Sequence, residues 1–403
     1  MSAVAPTAGD IEGWRKADRK ARPERLARLR ERMAAEGIDV YLAVRPENIR
    51  YLTGFALADG EEKVAGNSGR SLISADEVVV LADSRYTIQA HEEAPEARVE
   101  ECGYDLPARW ADLLATLRPL GRRRKVRRVA VEAAAVPHAL WLGLDAAAPG
   151  VALLPADGWV EEDRQVKEPS EIERIAAACR LGDAALEAVL PSIAPWVTER
   201  ELAWELEAWL RTHGAEALAF AVTVLGGERA ALPHGSPGER RVQRGEVLLF
   251  DFGAQVAGYR SDMTRTLFVG EPSSRDREIY ALVQRAQDAT LAALEEAVHS
   301  GELITGLAAD RAARTVIEEA GHGKHFGHGT GHGIGLATHE LPYLRRVGPA
   351  VELPSPTVFS VEPGVYLAGE TGVRIEDLVV FDRAAGRVER LSRFPREPLV
   401  VAD

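Results

Sequence analysis

Apolar residues in the first part of the chain follow two spacings, one helical and one extended. Between Pro23 and Gly37 they recur at intervals of three and four residues among Arg and Glu, which predicts an amphipathic helix. Residues 1–22 are polar and are interpreted as a partly frayed leader. Beyond Gly37 strands are predicted over residues 38–44, 77–82 and 128–132, and helices over residues 86–93 and 137–147. This alternation predicts an α/β domain over residues 23–160.

The pattern changes after a loop-like stretch at residues 155–163. Long helical patterns cover residues 172–190, 199–210, 275–299 and 303–320. Strands are predicted over residues 246–253, across a turn at 257–259, and as a pair, 357–366 with 372–381, around a turn at 368–370. Antiparallel sheet with helices is an α+β arrangement, which we assign to a second domain over residues 161–403.

Several polar residues are predicted to begin these helices as N-caps. Asp83 or Ser84 precedes the helix over 86–93, and Ser170 precedes the helix over 172–190. Thr198 with Glu201 matches the capping-box spacing at the start of the next helix.

Composition excludes several classes of protein. The 403 residues carry 49 Lys and Arg against 62 Asp and Glu, a net charge of −13, which disfavours binding to nucleic acid or to anionic membranes. The one basic block, residues 122–128, is interpreted as a solvated loop before a strand. Cys102 and Cys179 are too few for a zinc finger or a disulfide scaffold. With no secretory pattern at the N-terminus and only short apolar runs, we expect a cytoplasmic protein.

Four carboxylates interrupt apolar strands of the second domain. They are Asp251, Asp262, Glu362 and Glu376. Burying a carboxylate is unfavourable unless a cation accompanies it, so each could pair with an Arg or lie at a sheet edge. Four such residues on two hairpins favour a second explanation, because hairpin pairing can direct them to one face.

Histidines strengthen the second explanation. His328, His332 and His339 lie within one Gly-rich stretch, and His234 lies in another turn. Carboxylates with imidazoles and no thiolates suit Mn²⁺, Co²⁺, Zn²⁺ or Fe²⁺. Carboxylates can also bridge two ions about 3.5–4 Å apart, an arrangement that activates water for hydrolysis.

Six sequence motifs resemble one family of enzymes. They are Asp-Phe-Gly-Ala-x-x-x-Gly-Tyr-x-Ser-Asp-x-Thr-Arg-Thr (251–266), Gly-His-Gly-Thr-Gly-His-Gly-Ile-Gly-Leu-x-x-His-Glu (327–340), Val-Glu-Pro-Gly-Val-Tyr (361–366), Gly-Val-Arg-Ile-Glu-Asp (372–377), Asn-Ile-Arg-Tyr-Leu-Thr-Gly-Phe (48–55) and Asp-Ser-Arg-Tyr-x-x-Gln-Ala (83–90). Lys167-x-Pro-Ser-Glu-Ile-Glu resembles the linker between the two domains of that family. The chain resembles the pita-bread metallopeptidases, in the branch of Xaa-Pro aminopeptidase and Xaa-Pro dipeptidase (prolidase), with creatinase as a more distant relative. The resemblance implies a pita-bread catalytic domain after a smaller creatinase-type α/β domain.

The resemblance also implies the members of the active site. The metal ligands would be Asp251, Asp262, His332, Glu362 and Glu376, with Asp262 and Glu376 bridging two ions and Glu362 acting also as general base. His234, His328 and His339 would line the substrate site and stabilise the tetrahedral intermediate, with His234 and His339 counted as catalytic. Arg374 would support the metal carboxylates or bind the substrate. The resemblance also implies two divalent ions, with Mn²⁺ as the first candidate. It further implies a small peptide substrate and a homodimer. Residues 56–65 look like an insertion relative to the family.

The sequence leaves three functions open. The first is hydrolysis of the bond before proline in dipeptides or at the N-terminus of short peptides. The second is a metal-dependent hydrolase or lyase of a small non-peptide substrate, similar to creatinase or ectoine hydrolase. The intact ligand set argues against creatinase itself, whose metal ligands are lost. The third, a non-catalytic binding or scaffold protein, is disfavoured because a retired site would be expected to lose ligands.

Overall fold

The computed structural model describes residues 4–58, 64–120 and 125–402. The chain divides into two compact units, and the division falls between residues 163 and 164. The N-terminal unit comprises residues 12–163, and the C-terminal unit comprises residues 164–402 together with residues 4–11. Three expected features fall partly outside the described residues: the start of the leader, the centre of the 56–65 insertion and residues 122–124 of the basic block. Among the described residues, no helix combines the length and the apolar character that a membrane crossing requires.

The first helix corrects the prediction of a frayed leader. Helix α1 (Ala8–Ala35) begins well before residue 22 and contains Pro23 in its interior. Trp14 is buried on the same helix as Leu29 and Met33, so the segment before Pro23 also contributes an apolar anchor. A single buried tryptophan among polar residues gives too weak a periodic pattern to predict a helix from sequence.

A six-stranded mixed sheet forms the centre of the N-terminal unit. Its strands are β1 (Val40–Ala43), β2 (Ser71–Ile73), β3 (Val78–Ala82), β4 (Arg98–Glu101), β5 (Arg128–Val131) and β6 (Ala152–Pro155), in the order β4-β3-β2-β1-β5-β6. Strand β2 pairs antiparallel with β1 and β3, and the other pairings are parallel. The helices are α2 (Pro46–Thr53), α3 (Thr87–Glu93), α4 (Leu106–Thr116), α5 (His138–Ala147) and α6 (Trp159–Arg164). The buried Trp110 of α4 packs in one apolar cluster with β-strand residues such as Val129.

The C-terminal unit combines four helices with four small sheets among the described residues. The helices are α7 (Pro169–Val189), α8 (Glu199–Thr212), α9 (Ser274–Ser300) and α10 (Gly306–Glu319). The strands are β7 (Ala217–Leu218), β8 (Thr223–Gly226), β9 (Glu246–Phe252), β10 (Ala254–Val256), β11 (Tyr259–Arg260), β12 (Met263–Val269), β13 (Gly331–Gly333), β14 (Glu340–Leu344), β15 (Thr357–Val361), β16 (Gly364–Leu367), β17 (Thr371–Arg374), β18 (Asp377–Asp382), β19 (Arg387–Arg390) and β20 (Val400–Val401).

Helix starts agree with the sequence at one position and differ at two. Thr198 caps α8, and its side chain accepts a hydrogen bond from the Glu201 amide at 3.1 Å, as predicted. Helix α7 is capped by Glu168 rather than Ser170, because Pro169 takes the first helical position and moves the cap back. Asp83 binds Arg85 in a turn instead of capping α3, which begins only at Thr87.

Two long hairpin ribbons of the C-terminal unit are broken at corresponding points. In the first ribbon β9 pairs with β12 and β10 pairs with β11, with a break at Gly253, where a Cβ would overlap the Ser261 carbonyl oxygen. In the second ribbon the strand pair predicted as one unit is two pairs, β15 with β18 and β16 with β17. Pro363 contributes to that break because it has no N–H to continue the ladder. The breaks turn polar residues out of the sheets without unpairing the rest of either ribbon.

Apolar packing behind the ribbons holds them in place. Leu249 and Phe268 of the first ribbon share a buried cluster with Val373 of the second. Tyr280 of α9 and Ile317 of α10 complete the same cluster. The two ribbons are therefore fixed relative to each other by a common core within the C-terminal unit.

Candidate metal centre

The breaks in the ribbons place the acidic residues around one cavity. Asp262 lies at the break of the first ribbon, and Glu362 and Glu376 lie at the break of the second. Asp251 is in β9 and His332 is in β13. The cavity has a volume of about 510 Å³, and its walls include every site residue named from the sequence: His234, Asp251, Asp262, His328, His332, His339, Glu362, Arg374 and Glu376.

The acidic and imidazole atoms lie at the spacing of ligands around a cation. Atoms of Asp262, His332 and Glu376 all fall within 4.8 Å of one another. His332 Nε2 is 3.3 Å from Glu362 Oε1 and 3.7 Å from Asp262 Oδ2. Ligand atoms that each lie about 2.1 Å from one ion are roughly 3–4 Å apart, so this spacing fits a bound metal.

The carboxylates themselves favour a cation in the cavity. Burial and the neighbouring carboxylates raise the pKa of Asp262 and Glu376 well above their usual values. Burial also raises the pKa of Glu362. Asp262 Oδ1 and Glu376 Oε1 are buried without a hydrogen-bond partner in the structure. A buried carboxylate oxygen without a partner is costly, and a divalent ion supplies the missing interaction.

Pairing with Arg was the other explanation for the four buried acids, and among the described residues it applies to Asp251 alone. Arg374 contacts Asp251 Oδ2 at 2.6 Å. Within the described parts of the chain, Asp262, Glu362 and Glu376 form no ion pair with Lys or Arg. Ordinary Arg pairing therefore accounts for one carboxylate and leaves three that fit a metal.

The orientation of His332 leaves its Nε2 nitrogen available to bind a metal. Its Nδ1 lies 3.0 Å from the Gly333 carbonyl oxygen, which assigns the proton to Nδ1 and directs the Nε2 lone pair toward the acids. Burial lowers the pKa of His332, which keeps the ring neutral. A neutral imidazole with an ordered second nitrogen is the form that binds metals.

Hydroxyl groups behind the acids hold them in position. Thr264 donates to Glu376 Oε2 at 2.7 Å and accepts from Arg374 Nε at 2.9 Å. Ser360 donates to Glu362 Oε1 at 3.0 Å and accepts from the His332 amide. Neither hydroxyl was assigned a role from the sequence. Thr264 could have been found because it belongs to the same motif as Asp262 and lies only two residues further along the chain.

Tyr366 links the cation Arg374 to a histidine. Its hydroxyl oxygen lies 2.9 Å from Arg374 Nη1 and 2.8 Å from His328 Nε2. Burial raises the pKa of Tyr366 to about 12. Burial alone would lower the pKa of Arg374, but Tyr366 and Asp251 raise it well above its usual value. Tyr366 was quoted within a motif but received no role from the sequence.

The other histidines complete the wall of the cavity. The His339 ring lies 4.1 Å from that of His332, centroid to centroid, and burial lowers its pKa. Burial also lowers the pKa of His328. His234 is exposed and lines the same cavity. Neutral imidazoles beside buried carboxylates can donate or accept hydrogen bonds with a substrate.

Comparison with known proteins decides the family. The profile of "Metallopeptidase family M24" matches residues 173–383, which include every residue named in the metal centre. The profile of "Creatinase/Prolidase N-terminal domain" matches residues 25–166. The chain belongs to metallopeptidase family M24. Membership implies a divalent metal, and the Asp262–His332–Glu376 group is compatible with one.

Individual relatives confirm the predicted architecture. The chain is 32% identical to "Uncharacterized peptidase YqhT" of Bacillus subtilis over 94% of this chain and 100% of that protein. It is similar to the solved structure of "Xaa-Pro dipeptidase from Bacillus anthracis", with a TM-score of 0.83, 33% identity and coverage of 94% and 99% of the two chains. It is also similar to the "X-Pro aminopeptidase from Thermotoga maritima MSB8", with a TM-score of 0.76, 34% identity and coverage of 91% and 98%. A creatinase-type domain followed by a pita-bread M24 domain is thus confirmed.

The raised pKa values predict that cation binding releases protons. For an acid, a folded-state pKa above the unfolded value means that the metal-free protein gains protons on folding and becomes less stable as pH rises through that interval. The metal-free Asp262 and Glu376 pair therefore holds its protons to higher pH than ordinary carboxyl groups do. Titration with Mn²⁺ should release protons, measured by calorimetry in two buffers of different ionisation enthalpy. Asp262→Asn, as the matched variant, should release fewer protons. Mn²⁺ binding without proton release by the native chain would contradict the pKa assignment.

Proposed function

We propose that this chain is a dinuclear metal-dependent hydrolase that cleaves Xaa-Pro bonds in dipeptides or at the N-terminus of short peptides. The observation that carries the proposal is the convergence of Asp251, Asp262, His332, Glu362 and Glu376 on one cavity, with buried carboxylate oxygens that lack partners. An M24 chain that had lost catalysis would not need to keep this set. The similarity to an Xaa-Pro dipeptidase and an X-Pro aminopeptidase supports the substrate.

The same five residues would hold the ions. Asp262 and Glu376 are the bridging candidates, because each presents one oxygen without a partner and they lie on opposite ribbons. Asp251 would bind one ion, while Arg374 holds Oδ2 of the same carboxylate. When bound, the two cations would activate a water at neutral pH and polarise the scissile carbonyl. Mn²⁺, a homodimer and a cytoplasmic location remain predictions from the sequence.

Glu362 has the surroundings of a general base. Ser360 donates to its Oε1 and fixes the carboxylate, while burial raises its pKa toward the value at which a carboxyl group can both take and return a proton. We assign to Glu362 the uptake of a proton from the attacking water and its delivery to the leaving nitrogen. The leaving nitrogen needs this proton to depart as a neutral amine, which for proline is a secondary amine.

The histidines are placed to hold the substrate. His339 and His234 line the cavity and can donate to the carbonyl oxygen as negative charge develops on it. His328 is oriented by Tyr366 and by the Gly329 carbonyl, which lies 2.7 Å from Nδ1. Arg374 is fully engaged with Asp251, Thr264 and Tyr366, so it acts on the substrate through the groups it positions.

A substrate panel tests the proposed function. Chelator-stripped full-length protein is supplied with Mn²⁺, Co²⁺, Zn²⁺ or Fe²⁺ and assayed on Ala-Pro, Ala-Pro-Ala, the matched Ala-Ala and Ala-Ala-Ala, and creatine. We expect at least one ion to restore cleavage of a Pro-containing peptide over its matched control by roughly 10-fold or more. The ratio of Ala-Pro to Ala-Pro-Ala then separates dipeptidase from aminopeptidase. Turnover of creatine alone, or activity independent of metal, would contradict the proposal.

Two alanine variants test the roles of the paired histidines. His339→Ala should lower kcat by about 10²–10³ with a smaller change in KM, because a donor to the developing oxyanion acts mainly in the transition state. Its metal content after dialysis should match that of the native chain. His332→Ala should lose an ion. If His339→Ala loses metal and His332→Ala keeps both ions, the two assignments are reversed.

A further inference from the structure

Two motif residues have no task in the proposed function, and the structure brings them together. Lys167 comes from the linker motif and Glu340 ends the histidine-rich motif. Lys167 Nζ lies 2.8 Å from Glu340 Oε1, and Arg164 forms a second ion pair with Glu340 Oε2. All three residues are buried, with at most 6% of their surface exposed. We call these three residues the linker ion cluster.

Glu340 is ionised in this cluster. Burial alone would raise its pKa, but Arg164 and Lys167 lower it below the usual value. A buried carboxylate with two cations has strong directional contacts on both oxygens. The cluster therefore holds the start of β14 through contacts on both oxygens of the Glu340 carboxylate.

The same carboxylate also folds the histidine loop back on itself. The Ala337 amide donates to Glu340 Oε2 at 3.3 Å. A Cβ at Gly335 would lie 2.5 Å from Glu340 Oε1 and 3.3 Å from the Lys167 side chain, so the loop passes directly over the cluster. Residues 335–340 thus form a closed turn around one buried charge.

His339 lies between this anchor and a second one. On its other side, Thr338 donates to the Ala219 carbonyl at 3.0 Å and accepts from Arg260 at 3.0 Å. Both residues next to His339 are therefore fixed by buried side chains, while the imidazole itself stands in the cavity wall. The position of the ring depends on where these neighbours hold the backbone.

We propose that the linker ion cluster of Arg164, Lys167 and Glu340 is a positioning device that sets the His339 imidazole for contact with the substrate carbonyl. This inference rests on the proposed function, since it assigns the cluster to the same reaction. The cluster does not touch the substrate. It acts through the backbone of the residue next to it.

A double-mutant cycle tests the proposal. Lys167→Met removes one cation and leaves the Arg164–Glu340 pair, so this variant should fold where Glu340→Gln could fail. It is made in the native chain and in His339→Ala, all loaded with the ion that supports activity. In the native background we expect kcat on the best Xaa-Pro peptide to fall by roughly 10-fold or more, with KM and metal content unchanged. In the His339→Ala background the same substitution should change kcat by less than about twofold, because the group it positions is gone.

A matched control separates positioning from general destabilisation. Glu132→Gln alters another buried carboxylate, one that accepts hydrogen bonds from Tyr41 and Asn48 in the N-terminal unit. It should lower the melting temperature without lowering kcat. Hydrogen exchange supplies a readout independent of activity: amides of the peptide spanning residues 333–340 should exchange faster in Lys167→Met and not in Glu132→Gln.

The outcomes distinguish this inference from the proposed function. An active native chain in which Lys167→Met keeps its kcat, or loses the same factor in both backgrounds, overturns the positioning role and leaves the Xaa-Pro activity standing. A native chain that is inactive on every Xaa-Pro peptide contradicts the proposed function. Unchanged exchange over residues 333–340 in Lys167→Met would then overturn the positioning role as well.

Discussion

Buried negative charge without a protein counter-charge is the constraint on which the site depends. Asp262, Glu362 and Glu376 lie in a cavity where, among the described residues, Arg374 is committed to Asp251. Their raised pKa values express the cost of keeping these acids ionised together. Two things relieve this cost, a proton shared among the acids or a bound cation. Membership of family M24 and the lone pair of His332 both point to cations.

The fold meets this constraint by breaking two ribbons that otherwise pair regularly. Each break releases acidic residues from a strand while the apolar residues on either side stay in a common core. Hydroxyls of Thr264 and Ser360 then fix the acids from behind. On the far side of the strand from Thr264, Arg265 binds the Glu376 carbonyl and Asp377, so this bridging candidate is held from both faces. Such support keeps ligand positions set before any ion binds.

The residues that the sequence named as a site all line one cavity, whereas several details of the local structure differ from the prediction. Asp262, His332 and Glu376 could be named because each lies in a motif that resembles those of one enzyme family. The cap of α7 was misplaced by two residues because Pro169 takes the first helical position, which hydrophobic spacing does not report. The break in the second ribbon was missed because residues 357–366 and 372–381 are each largely apolar and resemble one continuous strand. The Tyr366–His328 and Lys167–Glu340 contacts could be found only from distances in the structure, since the two residues of each pair are remote in the chain.

Anomalous diffraction from crystals of the full-length chain grown with Mn²⁺ tests the central claim most directly. The account predicts two anomalous peaks in the cavity, each about 2.0–2.3 Å from its ligand atoms. The ligands would be Asp251, Asp262, His332, Glu362 and Glu376, with Asp262 and Glu376 contacting both ions. Peaks held by other residues, or a cavity without a peak while Mn²⁺ binds elsewhere on the chain, would contradict it.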